Sequence, residues 1–226
     1  MSIYFLINIL TFSIPFVMSF EKKIKFYKYF PSVTFSILVV GTIFILWDYI
    51  ATVRNDWSFN TQFINGIKLF SLPIEEIMFF ITVPFASIFL YETAKVYLPN
   101  KALRFPKWIN VLAIIFFVAL SIIFRNQYYT FTVMIFTALV FLVNLINKNK
   151  LFTSKIYWIW ILFTYIPFFI VNYLLTSLPI VEYSPKAIWG IRITSIPFED
   201  FFYSFSMLSF NLFFYLLFKE KWQRKK

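Results

Sequence analysis

Seven apolar runs, each close to the length of a membrane-crossing helix, leave this chain few folds to choose from. They are Ile3 to Ser19, Pro31 to Ile50, Pro73 to Tyr97, Trp108 to Phe124, Tyr129 to Leu145, Ile156 to Leu175 and Pro197 to Phe218. A hydrocarbon core about 30 Å thick takes roughly 20 helical residues to cross. Lipid offers no water to the backbone, so a spanning segment must satisfy its own polar groups. Spanning strands would read as segments of about ten residues alternating apolar and polar, whereas these runs are continuous. The sequence therefore predicts an all-α integral membrane protein of about seven transmembrane helices. Composition agrees: 61% of residues are hydrophobic and 14% charged, and the mean hydropathy of +0.76 exceeds what a soluble domain needs. Nothing basic precedes the first run and no small-residue cleavage pattern follows it, so it is expected to stay as helix one.

A net charge of +11 would point to nucleic acid in a soluble protein. In a helical membrane protein the placement of the cations matters more than their sum. Lys22, Lys23, Lys25 and Lys28 follow the first run, Lys95, Lys101, Arg104 and Lys107 the third, and Lys148, Lys150 and Lys155 the fifth. Lys219, Lys221, Arg224, Lys225 and Lys226 follow the seventh, making sixteen of the 21 Lys and Arg on one side. Arg54, Lys68, Arg125, Lys186 and Arg192 share the other. Lys and Arg accumulate in cytoplasmic loops, so the N-terminus is expected outside and the tail inside.

An internal repeat organises the chain. Residues 48–91 align without a gap on residues 172–215, at a constant offset of 124. Gly66-Ile67-Lys68-Leu69 falls on Gly190-Ile191-Arg192-Ile193, and Ser71-Leu72-Pro73-Ile74-Glu75-Glu76 on Ser195-Ile196-Pro197-Phe198-Glu199-Asp200. Asp48 pairs with Asn172, Phe79 with Tyr203 and Tyr91 with Tyr215. Shared polar residues at one spacing point to duplication. The expected plan is a first repeat over residues 1–97, a connector helix within 98–127, a second repeat over 128–218 and a basic tail over 219–226. Four crossings separate equivalent helices; an even number restores direction, so the two three-helix repeats run parallel. Helices three and seven then begin on the same side of the membrane, with their acidic motifs at similar depth.

With zero cysteine and zero histidine, the chain has no thiolate or imidazole for a metal and no histidine acid or base. Carboxylates must carry any proton chemistry. Proline in a first turn followed by Glu is also how an ordinary helix begins, since carboxylates suit the positive end of the dipole. Here each motif carries two adjacent carboxylates, each runs straight into apolar sequence, and the pair recurs. Ionisable groups near hydrocarbon are costly and usually face a cavity or a partner. Neighbouring helical residues point about 100° apart, so one member of each pair is expected to face the bundle interior. The other is expected to meet Lys68 or Arg192, or to support the first. Asp48 and Asn172, late in helices two and six, either complete a polar cluster with them or are simple interfacial residues. A carboxylic acid withdrawn from water beside a second carboxylate tends to hold its proton and can donate it. Trp47, Trp57, Phe79, Phe80 and Tyr203 are candidates to line an apolar pocket and stabilise a cation through their π faces, although most rings in a chain with 34 Phe and 14 Tyr are packing or interfacial belt.

At these residues the chain resembles the lycopene cyclase domain family, known as paired membrane subunits and as fused tandem forms. Trp57-Ser58-Phe59-Asn60, Leu72-Pro73-Ile74-Glu75-Glu76 and Phe79-Phe80 look like its signature in the first half. Pro167-Phe168, Val171-Asn172, Pro179-Ile180-Val181, Gly190-Ile191-Arg192 and Ile196-Pro197-Phe198-Glu199-Asp200-Phe201 resemble the partner half. The likeness is weakest across helices one, four and five, and Tyr91-Glu92 has no acidic counterpart at Tyr215-Leu216, so Glu92 is given no catalytic role. The resemblance implies a lycopene β-cyclase, an isomerase that protonates the terminal double bond of a linear carotenoid, closes a ring through a carbocation and then loses a proton. It implies a carotenoid (lycopene) substrate met in the lipid bilayer, no redox cofactor, and Glu75, Glu76, Glu199 and Asp200 as the catalytic candidates. The chain also lacks a glycine-rich dinucleotide fingerprint, having three glycines in all.

A small transporter is the competing reading, because a plan of three helices, a connector and three helices is also that of small parallel-repeat transporters. The polar residues gather at the outer end instead of the midplane and glycine is scarce, which leans against it. A retinal protein is poorly supported: there is no lysine between Pro197 and Phe218 for a Schiff base.

Overall fold

All seven apolar runs are helices in the computed structural model, which describes residues 1–147 and 151–223. Lys148, Lys150, Arg224, Lys225 and Lys226, which were counted toward orientation, lie outside the described residues. Among the described residues, five helices are long and apolar enough to cross a membrane: α2 (Phe30–Val53), α3 (Ile74–Tyr97), α5 (Tyr128–Ile146), α6 (Lys155–Ser177) and α7 (Glu199–Gln223). The other two, α1 (Ile3–Met18) and α4 (Lys107–Ile123), have 16 and 17 residues. At about 1.5 Å per residue they reach roughly 25 Å, a shortfall a bilayer accommodates by local thinning. Leu112, Ile115, Phe116, Ile122 and Ile123 of α4 are exposed, the face lipid would cover.

The chain is not purely helical where it approaches the acidic motifs. Each half inserts a two-stranded hairpin before its third helix: β2 (Lys68–Leu69) with β3 (Leu72–Pro73), and β5 (Arg192–Ile193) with β6 (Ile196–Pro197). The strands fall at the same 124-residue offset. Gly66 (φ 80°) and Gly190 (φ 88°) bring the chain into the hairpins in the left-handed region, where a Cβ costs torsional energy. Closing bonds also recur: Ile74 N–H donates to the Ile67 carbonyl at 3.0 Å, and Phe198 N–H to that of Ile191 at 2.9 Å. The first helix of each half docks on the same spot, Tyr4 N–H on the Phe63 carbonyl and Tyr129 N–H on that of Ala187.

One further strand pair joins the halves. Here β1 (Trp57–Phe59) runs antiparallel to β4 (Val181–Tyr183), with Trp57 opposite Tyr183 and Phe59 opposite Val181. This ribbon sits at the acidic end, over the helix starts.

The second helices of the two halves pack differently, for reasons visible in their side chains. Ser32, Ser36, Val40 and Gly41 keep one face of α2 small, and α2 is buried along its length against its neighbours. Ser36 Oγ reaches the Asn211 carbonyl of α7 at 2.6 Å, and a Cβ on Gly41 would sit 3.7 Å from the Phe80 carbonyl. At the corresponding places α6 carries Ile156, Trp160, Thr164 and Tyr165. Trp160 holds α6 to α3 by donating its indole N–H to the Ser87 carbonyl at 2.7 Å. Beyond Thr164 no residue of α6 is buried until Leu175, and the space beside that stretch is the cleft.

Candidate active site

A cleft of about 960 Å³, counting its open side, lies among α1, α3, α6 and α7 beneath the ribbon. Its inner length is apolar and hydroxylic, with Val83, Leu90, Met207 and Leu208 beside Thr11, Ser87, Thr164 and Ser204. Its acidic end brings together Asp48, Glu76 and Asp200 with Tyr4, Trp57, Tyr129, Tyr183 and Tyr203. Val171 lines the cleft where the equivalent residue of α2 is Trp47, so one half leaves space that the other fills with an indole.

The adjacent acids of each motif separate as helical geometry requires. Glu75 and Glu199 are fully buried and turn back to the loops before their helices. Glu75 Oε1 accepts the Asn65 N–H at 2.7 Å and the Ser2 hydroxyl at 2.8 Å. Glu199 Oε1 accepts the Trp189 N–H and, at 2.6 Å, the Thr130 hydroxyl. Asn65 and Trp189 are again equivalent under the repeat, so each first acid ties its own loop and its own first helix together. Neither lines the cleft.

Glu76 and Asp200, the second acids, do line it, and each accepts a phenol from the first helix of its own half. The Tyr4 hydroxyl donates to Glu76 Oε2 at 2.5 Å, and the Tyr129 hydroxyl donates to Asp200 Oδ1. Asp200 has a second donor in Tyr183, whose hydroxyl meets Oδ2 at 3.1 Å. Burial first, and then the neighbouring Asp200, push the Tyr183 phenol well above the usual range, so it remains a donor. Asp48 accepts the Trp57 indole N–H at 2.7 Å on Oδ1, while its buried Oδ2 has no hydrogen-bond partner among the described residues. Asp48 and Glu76 line this end of the cleft together.

The remaining sequence candidates are spread around this cluster. Asn172 lines the cleft and donates to the Phe168 carbonyl at 3.3 Å. Phe79 and Tyr203 line it too, while Trp47 packs behind, 5.3 Å from the Tyr203 ring and 5.9 Å from that of Tyr129. Lys68 and Arg192 are exposed on the hairpins, and among the described residues neither forms an ion pair with the motif acids. Arg192 instead donates to the Ser195 carbonyl at 2.6 Å. Glu92 sits about 24 Å along α3 from Glu76, paired with Lys219 at 2.8 Å. Sequence reasoning missed Tyr4, Tyr129 and Tyr183. The available signal was that helices one and five both carry a Tyr in their first turn, two residues or fewer from a Ser or Thr.

Seven helices, a duplicated plan and carboxyl groups from both halves opening on one apolar cleft define an integral membrane protein with a sheltered acid site. A family model described as lycopene cyclase matches residues 1–94 and 126–218. The chain belongs to the lycopene cyclase family, and membership implies a carotenoid substrate. No curated protein and no solved structure matches the chain.

Proposed function

We propose that this protein is a lycopene β-cyclase that isomerises the end of a linear carotenoid without redox chemistry. One observation carries the reading: Glu76 and Asp200, one from each half, open on the same apolar cleft. Cyclisation needs one proton delivered to the terminal double bond and one removed after ring closure, with no net electron transfer. General acid and base groups within reach of the reacting carbons supply both. Trp57, Tyr129 and Tyr203 offer π faces to the cation between those steps, and the largely apolar lining of the cleft offers few groups to capture it. Glu75 and Glu199 serve the chemistry from behind, by fixing the turn from which the second acid of each pair projects. The N-terminus lies outside and the tail in the cytoplasm, a reading supported by the excess of Lys and Arg in the loops on the tail's side, and the acid end of the cleft then lies toward the outer face. The chain divides into a first repeat over residues 1–97, a connector over 98–127, a second repeat over 128–218 and a basic tail.

Expression in cells that accumulate lycopene, followed by pigment chromatography, tests this. Cyclic product is expected. Unchanged lycopene in cells whose membranes contain the inserted protein would overturn it.

A further inference from the structure

The two halves present their cleft acids in different settings, and the difference has a direction. Asp200 receives two phenolic donors, one on each oxygen, from Tyr129 and Tyr183. Glu76 receives one, from Tyr4, and shares the acidic end of the cleft with a second carboxyl, Asp48. Hydrogen bonds to both oxygens stabilise the ionised form of a carboxyl group, whereas two carboxyl groups sharing an apolar site repel if both are charged and so favour a shared proton. Two substitutions between the repeats create this contrast. Asn172 stands where the first half has Asp48, which removes the second carboxyl from the Asp200 side. Tyr183 stands where the first half has Phe59, which adds a phenol to it. Both changes act in the same sense.

We propose that the Asp48–Glu76 pair is the acid of the reaction and Asp200 its base, with Glu76 and Asp200 the catalytic residues and Asp48 a positioning residue. This rests on the cyclase reading above. Glu76 gives its proton to the terminal double bond, forming a C–H bond and leaving a cation on the neighbouring carbon. The electrons of the next double bond along the chain form the ring C–C bond, and the cation moves onto the ring. Asp200 then takes a proton from the adjacent ring carbon, and the released C–H electrons become the ring double bond. One proton enters and one leaves, and no electrons are exchanged with any partner. The proton on Asp200 returns to the pair across the acidic end of the cleft, which all three carboxyl groups line.

The test is lycopene conversion by membranes carrying Glu76→Gln, Asp48→Asn, Asp48→Glu or Asp200→Asn, with product isomers resolved, pH profiles recorded and membrane insertion checked for each. Glu76→Gln is expected to stop lycopene consumption, by at least 100-fold. Asp200→Asn is expected to go on consuming lycopene at a reduced rate, with the ring double bond displaced or the cation captured by water. Asp48→Asn is expected to slow conversion about tenfold and to shift the acid-side limb of the pH profile, and Asp48→Glu to restore that limb. If Asp200→Asn stops consumption while Glu76→Gln gives displaced products, the roles are the reverse of those proposed. An Asp48→Asn variant with the parent's rate and pH profile would remove Asp48 from the acid. An inactive parent chain would instead sink the cyclase reading itself, and the two failures are thereby distinguished.

Discussion

The two halves approach the membrane through the same backbone and differ in what they hang on it. Hairpin register, the left-handed glycine, the loop carbonyl that receives the first helix and the buried Glu that accepts a loop N–H all recur at equivalent positions. These are demands of geometry. A chain that turns sharply at a membrane surface must pair its buried polar groups, and both copies have kept the same solution. The side chains that reach the cleft diverge: Asp48 against Asn172, Phe59 against Tyr183, Phe79 against Tyr203 and Trp47 against Val171. The second helix of the first half packs closely against α7 and α3, and that of the second half, α6, stands off to form a wall of the cleft. The comparison teaches that scaffold and chemistry are separable here almost residue by residue, since each motif holds one acid of each kind.

The sharpest way to break that comparison is to neutralise both acids of each pair. Glu76→Gln and Asp200→Asn are each expected to lower β-ring formation at least 100-fold, the scale of a lost acid or base, with insertion unchanged. If Glu75→Gln or Glu199→Gln shows the larger loss of β-ring product at equal protein level, the assignment of roles within the pairs is wrong. The next largest effect should come from making the open half resemble the closed one. Val171→Trp, which copies Trp47, should fill the cleft and reduce conversion about tenfold, with no loss of thermal stability in detergent. Parent-like turnover would show that substrate lies elsewhere.

Smaller effects should come from the scaffold. Glu75→Gln and Glu199→Gln leave the loop amide and the hydroxyl with a weaker acceptor, and each is expected to lower unfolding stability by about 1–3 kcal/mol. The two should lose similar amounts, because the same partners recur. Gly66→Ala and Gly190→Ala are the finest comparison. No atom lies within 4 Å of the added Cβ at either site, so the cost is torsional alone, about 1 kcal/mol each. Calorimetry or a thermal melt that found one Gly indifferent would show that its turn is not held as its counterpart is.

Much of this architecture was legible in the sequence. The seven runs and the 124-residue offset anticipated the helices, and the offset holds down to the short strands at Lys68 and Arg192. The adjacent acids were legible as a pair whose members must diverge, but which one turns inward depends on where the hairpin starts the helix, and that is set by the Gly66 turn and the loop it closes. Lys68 and Arg192 were natural partners by charge. The loop N–H groups and hydroxyls at Glu75 and Glu199 stand closer, and a surface cation gains little from such a pairing. The three phenols were hidden by abundance, being among 14 tyrosines in a chain where rings pack everywhere. Strands β1 and β4 add to the all-α expectation, and Trp57-Ser58-Phe59 and Val181-Glu182-Tyr183 both alternate apolar and polar with the period of a strand.

In the ribbon that joins the halves, Trp57 and Tyr183 occupy one rung and point to the same face. One donates to Asp48 and the other to Asp200. A slip of one residue in either strand would turn that strand's side chain to the opposite face, so the two donors share one face only in this register. A displacement of this ribbon as a body would carry both donors with it, so a single element holds one hydrogen bond to a carboxyl group of each half.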